Sequence, residues 1–271
     1  MTMVTIFGVL APDTDGSIDA VRRAPAEVNA ERDRLLEEYE AFTEFADRVE
    51  DLSISTRSDG GRSREAFLLA SKQPAGQLQS VRDAYRDTVM AVDHFDTDYD
   101  ESLEAHLTAE LSPEIASSVI DGTHLTATLR RSIVAGARNA VRDRHVVIER
   151  LADERTDLQA AADQLAAIAK RFERTDGDEL TERTFPDIQT RWQRLHEHQE
   201  ECEALLARRQ QQVSELSSVG ISNGRSPVAV STYLFDDLDV DFPVLDAGTK
   251  LLEQIDAEQR RTVEALTERR R

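Results

Sequence analysis

Apolar residues recur every seven positions in three stretches of this chain, and that recurrence limits what it can fold into. Val28, Leu35, Phe42 and Val49 keep the spacing between residues 25 and 52, with Tyr39 and Ala46 between them. Leu151, Leu158, Leu165 and Phe172 repeat it, filled in by Ile148, Ala162 and Ala169. In a third stretch, Ile188, Leu195, Cys202 and Leu216 form one seam, interrupted by Arg209. Trp192, Leu206 and Val213 form the other, interrupted by Gln199. Seven residues are close to two helical turns, so each series is a stripe along one side of a helix, and the stripe must bury against another helix. The spacing predicts an all-α chain: an elongated helical bundle with a long antiparallel coiled-coil hairpin.

Breakers and caps divide the chain. Residues 1–24 read as a flexible N-terminal segment and 25–57 as a long helix, with Ser58-Asp-Gly-Gly-Arg62 as its terminator. A compact bundle of shorter helices is expected over 63–145, with helices near 64–72, 75–92 and 102–111. Leu78, Val81, Tyr85, Val89 and Val92 form the buried face of the second. Ser112-Pro113-Glu114 opens a fourth as N-cap, first-turn proline and first-turn acid, and Asp121-Gly122 stops it. Residues 146–217 form the hairpin, its first helix starting back at Thr126. Each arm is roughly 40 Å long at the helical rise per residue. An acidic loop segment over 218–247 contains Leu238, Val240 and Phe242 alternating with aspartates, a pattern that predicts an extended path against the helices. The last helix covers 248–271, with Leu251, Leu252, Ile255, Val263 and Leu266 on its inner face.

The charge balance speaks about solvent. Acidic residues number 53 against 33 basic ones, for a net charge of -20, and only Lys72, Lys170 and Lys250 are lysines. In molar salt the screening length shrinks to roughly 3 Å, so dense carboxylates cease to repel over distance. In dilute buffer the same charge disfavours the compact state. An acid-rich, lysine-poor surface therefore predicts a halophilic protein. The opening residues lack the basic start of a signal peptide, and no stretch is long enough to span a membrane, so a cytoplasmic location is expected.

Chemistry-bearing patterns are sparse. One cysteine, Cys202, excludes an intrachain disulfide. His198 and Cys202 share a helix face, with His196 nearby, but no third and fourth ligand are evident, and no metal is expected. Asp96, Asp98 and Asp100 start like a calcium loop, yet Glu101 and Leu107 stand where glycine and a bidentate glutamate belong. Glycines form neither a phosphate cradle nor a nucleophile turn. No enzymatic activity and no cofactor are expected. The one unusual patch is basic: Arg130, Arg131, Arg138, Arg142 and Arg144 fall within fifteen residues. These arginines either contact a partner, DNA phosphates included, or pair with carboxylates of neighbouring helices. The chain reads as a non-enzymatic interaction or scaffolding protein that binds a protein partner or itself through helices. DNA-binding regulation through Arg130 to Arg144 is the alternative.

Val81-Arg-Asp-Ala-Tyr-Arg-Asp-Thr-Val-Met-Ala-Val92, Tyr99-Asp-Glu-Ser-Leu103, Leu205-Leu-Ala-Arg-Arg-Gln210 and Tyr233-Leu-Phe-Asp-Asp-Leu-Asp-Val-Asp-Phe-Pro-Val-Leu245 carry a resemblance. With these segments the chain resembles a haloarchaeal, all-helical family known as a domain of unknown function. The resemblance spans most of the chain. It implies a halophilic source and a chain that behaves as one unit, and it brings no catalytic residue or cofactor.

Overall fold

The computed structural model describes residues 14–53, 76–176, 183–218, 234–235, 238 and 240–268. Among these residues every regular element is helical: α1 (Thr14–Asp51), α2 (Gly76–Asp87), a 3-10 turn (Val89–Ala91), α3 (Phe95–Asp98), α4 (Leu103–Glu110), α5 (Pro113–Ile120), α6 (Ala127–Asp176), α7 (Phe185–Ser218) and α8 (Pro243–Glu268). The fold is all-α. The chain divides into two compact units, residues 32–149 and residues up to 31 together with 150 onward, and both divisions fall inside helices, α1 and α6.

In the unit of residues 32–149, Phe42, Phe45, Ala46 and Val49 of α1 pack with Leu78, Val81 and Tyr85 of α2, Leu107 of α4, Val119 of α5 and Ile133 and Ala137 of α6. The predicted inner face of the 75–92 stretch is largely the real one, although a 3-10 turn replaces its last helical turn. Local caps do what their sequence says. Ser102 accepts from the Ala105 amide at 3.2 Å and Ser112 from the Ile115 amide at 3.2 Å, with Pro113 in the first turn. Gly122 follows α5 so closely that a Cβ there would lie 2.1 Å from the Ser118 carbonyl oxygen. Asp100 has φ 43° after α3, a left-handed position that aspartate tolerates better than most residues.

In the other unit, α6 and α7 run antiparallel as the predicted hairpin. Glu154 meets Arg209, Gln164 accepts from Arg208 at 2.6 Å, Glu201 accepts from Arg171, and the Thr175 carbonyl accepts from Arg191. α8 lies antiparallel to α7: the Cys202 thiol donates to the Gly248 carbonyl at 3.5 Å, and Gln259 donates to Gln199 at 2.9 Å. Leu206 occupies the space that a Cβ at Gly248 would need, 2.5 Å from its Cδ2. Ser17 of α1 donates to Asp246 and accepts from Lys250, which joins this end of α1 to α8.

Four expectations are corrected. α1 starts at Thr14, not near Pro25, and Pro25 lies inside it. A mid-helix proline forfeits one hydrogen bond, but Val21, Ala24 and Val28 around it are wholly buried, and that packing keeps the helix going. The second seam of α7 departs from the expected one at Trp192, while Leu206 and Val213 are half-buried. Arg191, His198 and Leu205, one residue earlier in each turn, are the fully buried positions, and Trp192 is exposed. On α8, Val263 is exposed, and Glu258 and Thr262 take the buried places after Ile255. The extended path expected of the acidic segment does not hold at its start: Leu234, Phe235 and Leu238 are buried, and the Leu238 amide donates to the Phe235 carbonyl at 2.9 Å. The helix expected over 64–72, its preceding breaker and Tyr233, Asp236, Asp237 and Asp239 lie outside the described residues.

Candidate functional site

The basic patch lies on the first turns of α6, and its five arginines have different surroundings. Arg130 donates to the carbonyls of Glu50 at 3.0 Å and Leu52 at 2.9 Å, covering the unpaired carbonyl end of α1. Arg138 pairs with Asp47 of α1, with Glu50 at 3.9 Å. Arg131 and Arg142 are exposed and reach acceptors on their own helix, the Ala127 carbonyl and the Asn139 amide oxygen. Arg144 points inward. The five therefore do not form one surface: two stay outside, two bind the end of α1, and one enters the interior.

Arg144 organises a buried polar network. Its Nε donates to Glu38 Oε2 at 2.7 Å and its Nη1 to Glu110 Oε2 at 2.9 Å. Its guanidinium carbon sits 4.3 Å from the centroid of the Phe42 ring, a cation–π contact. Glu38 Oε1 accepts from the Tyr99 hydroxyl at 2.8 Å and lies 3.0 Å from His94 Nε2. Burial pushes the Glu38 carboxyl up, but the Arg144 charge and the hydrogen bonds from His94, Tyr99 and Arg144 outweigh it and hold the carboxyl below the usual range. Burial and the neighbouring Glu38 raise the Tyr99 phenol. Beside this network, Tyr85 and His106 Nδ1 are 2.8 Å apart. Burial keeps the His106 imidazole below its ordinary value, and its ring edge meets Phe95 and Tyr99. The network ties α1, α4 and α6 together through one guanidinium shared by two carboxylates.

Two further buried ion pairs cross the helices of the other unit. Arg209 grips Glu154 with both terminal nitrogens, and Arg191 reaches Glu258 at 2.5 Å. Only Arg209 was visible in the sequence as a polar break in an apolar seam. Glu154, Arg191 and Glu258 carried no such signal, because a charged residue in an acidic helix looks like surface. The histidine and cysteine group diverges: His198 and Cys202 are buried, and His196 is exposed and stacked on Trp192, with centroids 5.3 Å apart. Burial, with the nearby Glu203, pushes the Cys202 thiol up to about 11, which makes it a poor nucleophile. No three potential ligands converge on a metal position among the described residues.

The outer face of α7 and α8 carries what the corrected seams leave outside. Trp192 is 38% exposed and Val263 47%. With Asp256, Gln259, Arg260 and Glu264 they line an open depression of about 380 Å³. Phe185, seven residues before Trp192 on the same face of α7, is 60% exposed. Among the described residues no helix is long and apolar enough to cross a membrane.

The chain matches no curated protein and no solved structure. Residues 19–259 match the family described as Domain of unknown function (DUF7260). That match runs from the second turn of α1 to the last third of α8, through every element described above, and the chain belongs to this family.

Proposed function

We propose that this chain is a non-enzymatic interaction protein that docks a partner on the outer face of α7 and α8. The carrying observation is the exposed Trp192 beside Val263 over an open depression. A large aromatic in a shallow groove with a mixed-charge rim is the composition of an interface centre rather than of ordinary surface. The groove is open, and its polar groups are of the kind that orient a partner. Its best fit is a helix laid along the two helices. We further read the acidic, lysine-poor composition as an adaptation to a salt-rich cytoplasm.

A photo-crosslinking residue at position 192, introduced in cells of the source organism, tests the docking reading. The expected result is a discrete adduct formed from position 192 and not from exposed Gln159 at the same expression level. Equal labelling from both positions overturns it. The alternative, phosphate contact through α6, is favoured only by the exposure of Arg131 and Arg142. A duplex-DNA titration at graded salt decides it: binding that weakens with salt and is lost in Arg131→Glu/Arg142→Glu supports contact, and no salt-dependent binding removes it.

A further inference from the structure

We infer that the partner on this face is a second copy of the same chain, paired about a two-fold axis across α8; the inference rests on the docking reading above. Most of the chain repels its own kind, since its net charge is -20. The α7–α8 face is different. Asp256, Arg260 and Glu264 follow one another at four-residue spacing along α8, so a cation sits between two carboxylates at the edge of the apolar groove. The Arg260 and Glu264 part of that row complements itself when two copies of α8 run antiparallel in a shifted register, with Asp256 outside the pairing. An axis level with Thr262 sets Arg260 of each copy opposite Glu264 of the other. Val263 then falls beside the axis, where identical apolar side chains meet. Trp192 flanks that centre from α7. The apolar centre and the reciprocal pairs are thus both supplied by residues already exposed on this one face.

The background charge shapes how such a pair behaves. Two chains of this charge repel strongly when the screening length is about 10 Å, near 0.1 M salt, and weakly when it is about 3 Å, near 1 M. Contact ion pairs beside an apolar centre are screened less than that long-range field. Pairing is therefore expected to strengthen as potassium chloride rises, the reverse of an association driven by opposite net charges.

Sedimentation equilibrium of the full chain at about 0.1 M and about 1 M potassium chloride tests this. Acrylamide quenching of the sole tryptophan is followed in parallel. The expected result is a monomer–dimer equilibrium that tightens with salt, with Trp192 less accessible in the dimer. Trp192→Asp should weaken association about thirty-fold, as expected when an interface anchor worth about 2 kcal/mol is lost. Arg260→Glu and Glu264→Arg should each weaken self-association. An equimolar mixture of those two variants should pair again, because each supplies the charges the other lacks. Circular dichroism at the same salt confirms that the variants keep their helices. A chain that stays monomeric at every salt and concentration overturns the inference. So does a dimer that Trp192→Asp leaves unchanged, or a charge-swapped mixture that fails to pair. A monomer that still gives a specific adduct with another protein from position 192 overturns self-pairing alone and leaves the docking reading standing.

Discussion

Arg209 and Glu154 are each at most 5% exposed in their side chains and grip each other with two hydrogen bonds. A buried pair of this kind contributes little net stability against an apolar replacement, yet removing one member strands a charge in the interior. Arg209→Leu alone should therefore cost about 3–5 kcal/mol in urea unfolding. Glu154→Leu/Arg209→Leu together should lie within about 1–2 kcal/mol of the parent, a non-additivity that a double-mutant cycle measures. The titrating groups set an acid sensitivity. Burial holds His106 and His198 below the ordinary 6.5, so below that pH the unfolded chain binds protons that the native chain does not. Stability is thus lost as pH falls from about 6.5. Glu38 adds a second loss, because its native carboxyl lies below the ordinary 4.5 and its contribution fades as pH drops through that lower value. The urea midpoint should fall from pH 7.5 to 5.5 and fall less steeply in His106→Leu. A level midpoint in the parent would contradict the assignment. Arg209 was legible as a polar break in a seam, but its partner was not, because the sequence does not say which carboxylate stands across the helix boundary.

At the scale of elements, the short-range signals worked where the backbone itself decides. Ser102 and Ser112 cap α4 and α5, and the proline after Ser112 opens its helix as the pattern says. Pro25 is the counter-example. A local rule ends or starts a helix there, but α1 runs through it because Val21, Ala24 and Val28 bury completely on both sides. Pro25→Ala should restore the missing donor and stabilise the chain by about 1–2 kcal/mol, after allowance for the greater freedom of the unfolded alanine chain. Denaturant melting checks this, and a loss of stability would mean that the ring itself packs usefully. The seams of α7 show a related failure. Seven-residue spacing places Ile188, Leu195 and Cys202 inside, and all three are buried. The same spacing does not choose between the residue three ahead and the one four ahead. Trp192 is the more apolar option, but α7 has α6 and α8 to contact, and their placement turns Arg191 and His198 inward instead.

At the scale of the whole molecule, charge is the dominant fact. With 53 acids against 33 bases, mutual repulsion opposes compaction until salt screens it. The melting temperature should rise by about 5 °C or more between dilute buffer and molar potassium chloride. For a chain of this size that corresponds to about 1–3 kcal/mol. A temperature that stays level or falls would remove the halophilic reading. Nearly the whole length is one family unit, residues 19–259, although the chain forms two compact units whose limits fall within α1 and α6.

Periodicity, caps and charge count are properties of the chain taken in order, so the long helices, the capped starts of the short ones, the antiparallel hairpin and the acidic character could be read from sequence alone. The direction each arginine takes, the carboxylate that receives it and the apolar residues left outside depend on which helices become neighbours. Arg144 and Arg142 are two residues apart on one helix, yet one is held between Glu38 and Glu110 and the other remains in solvent. That difference is set by the packing of α1 and α4 against one side of α6, which no spacing along the chain encodes.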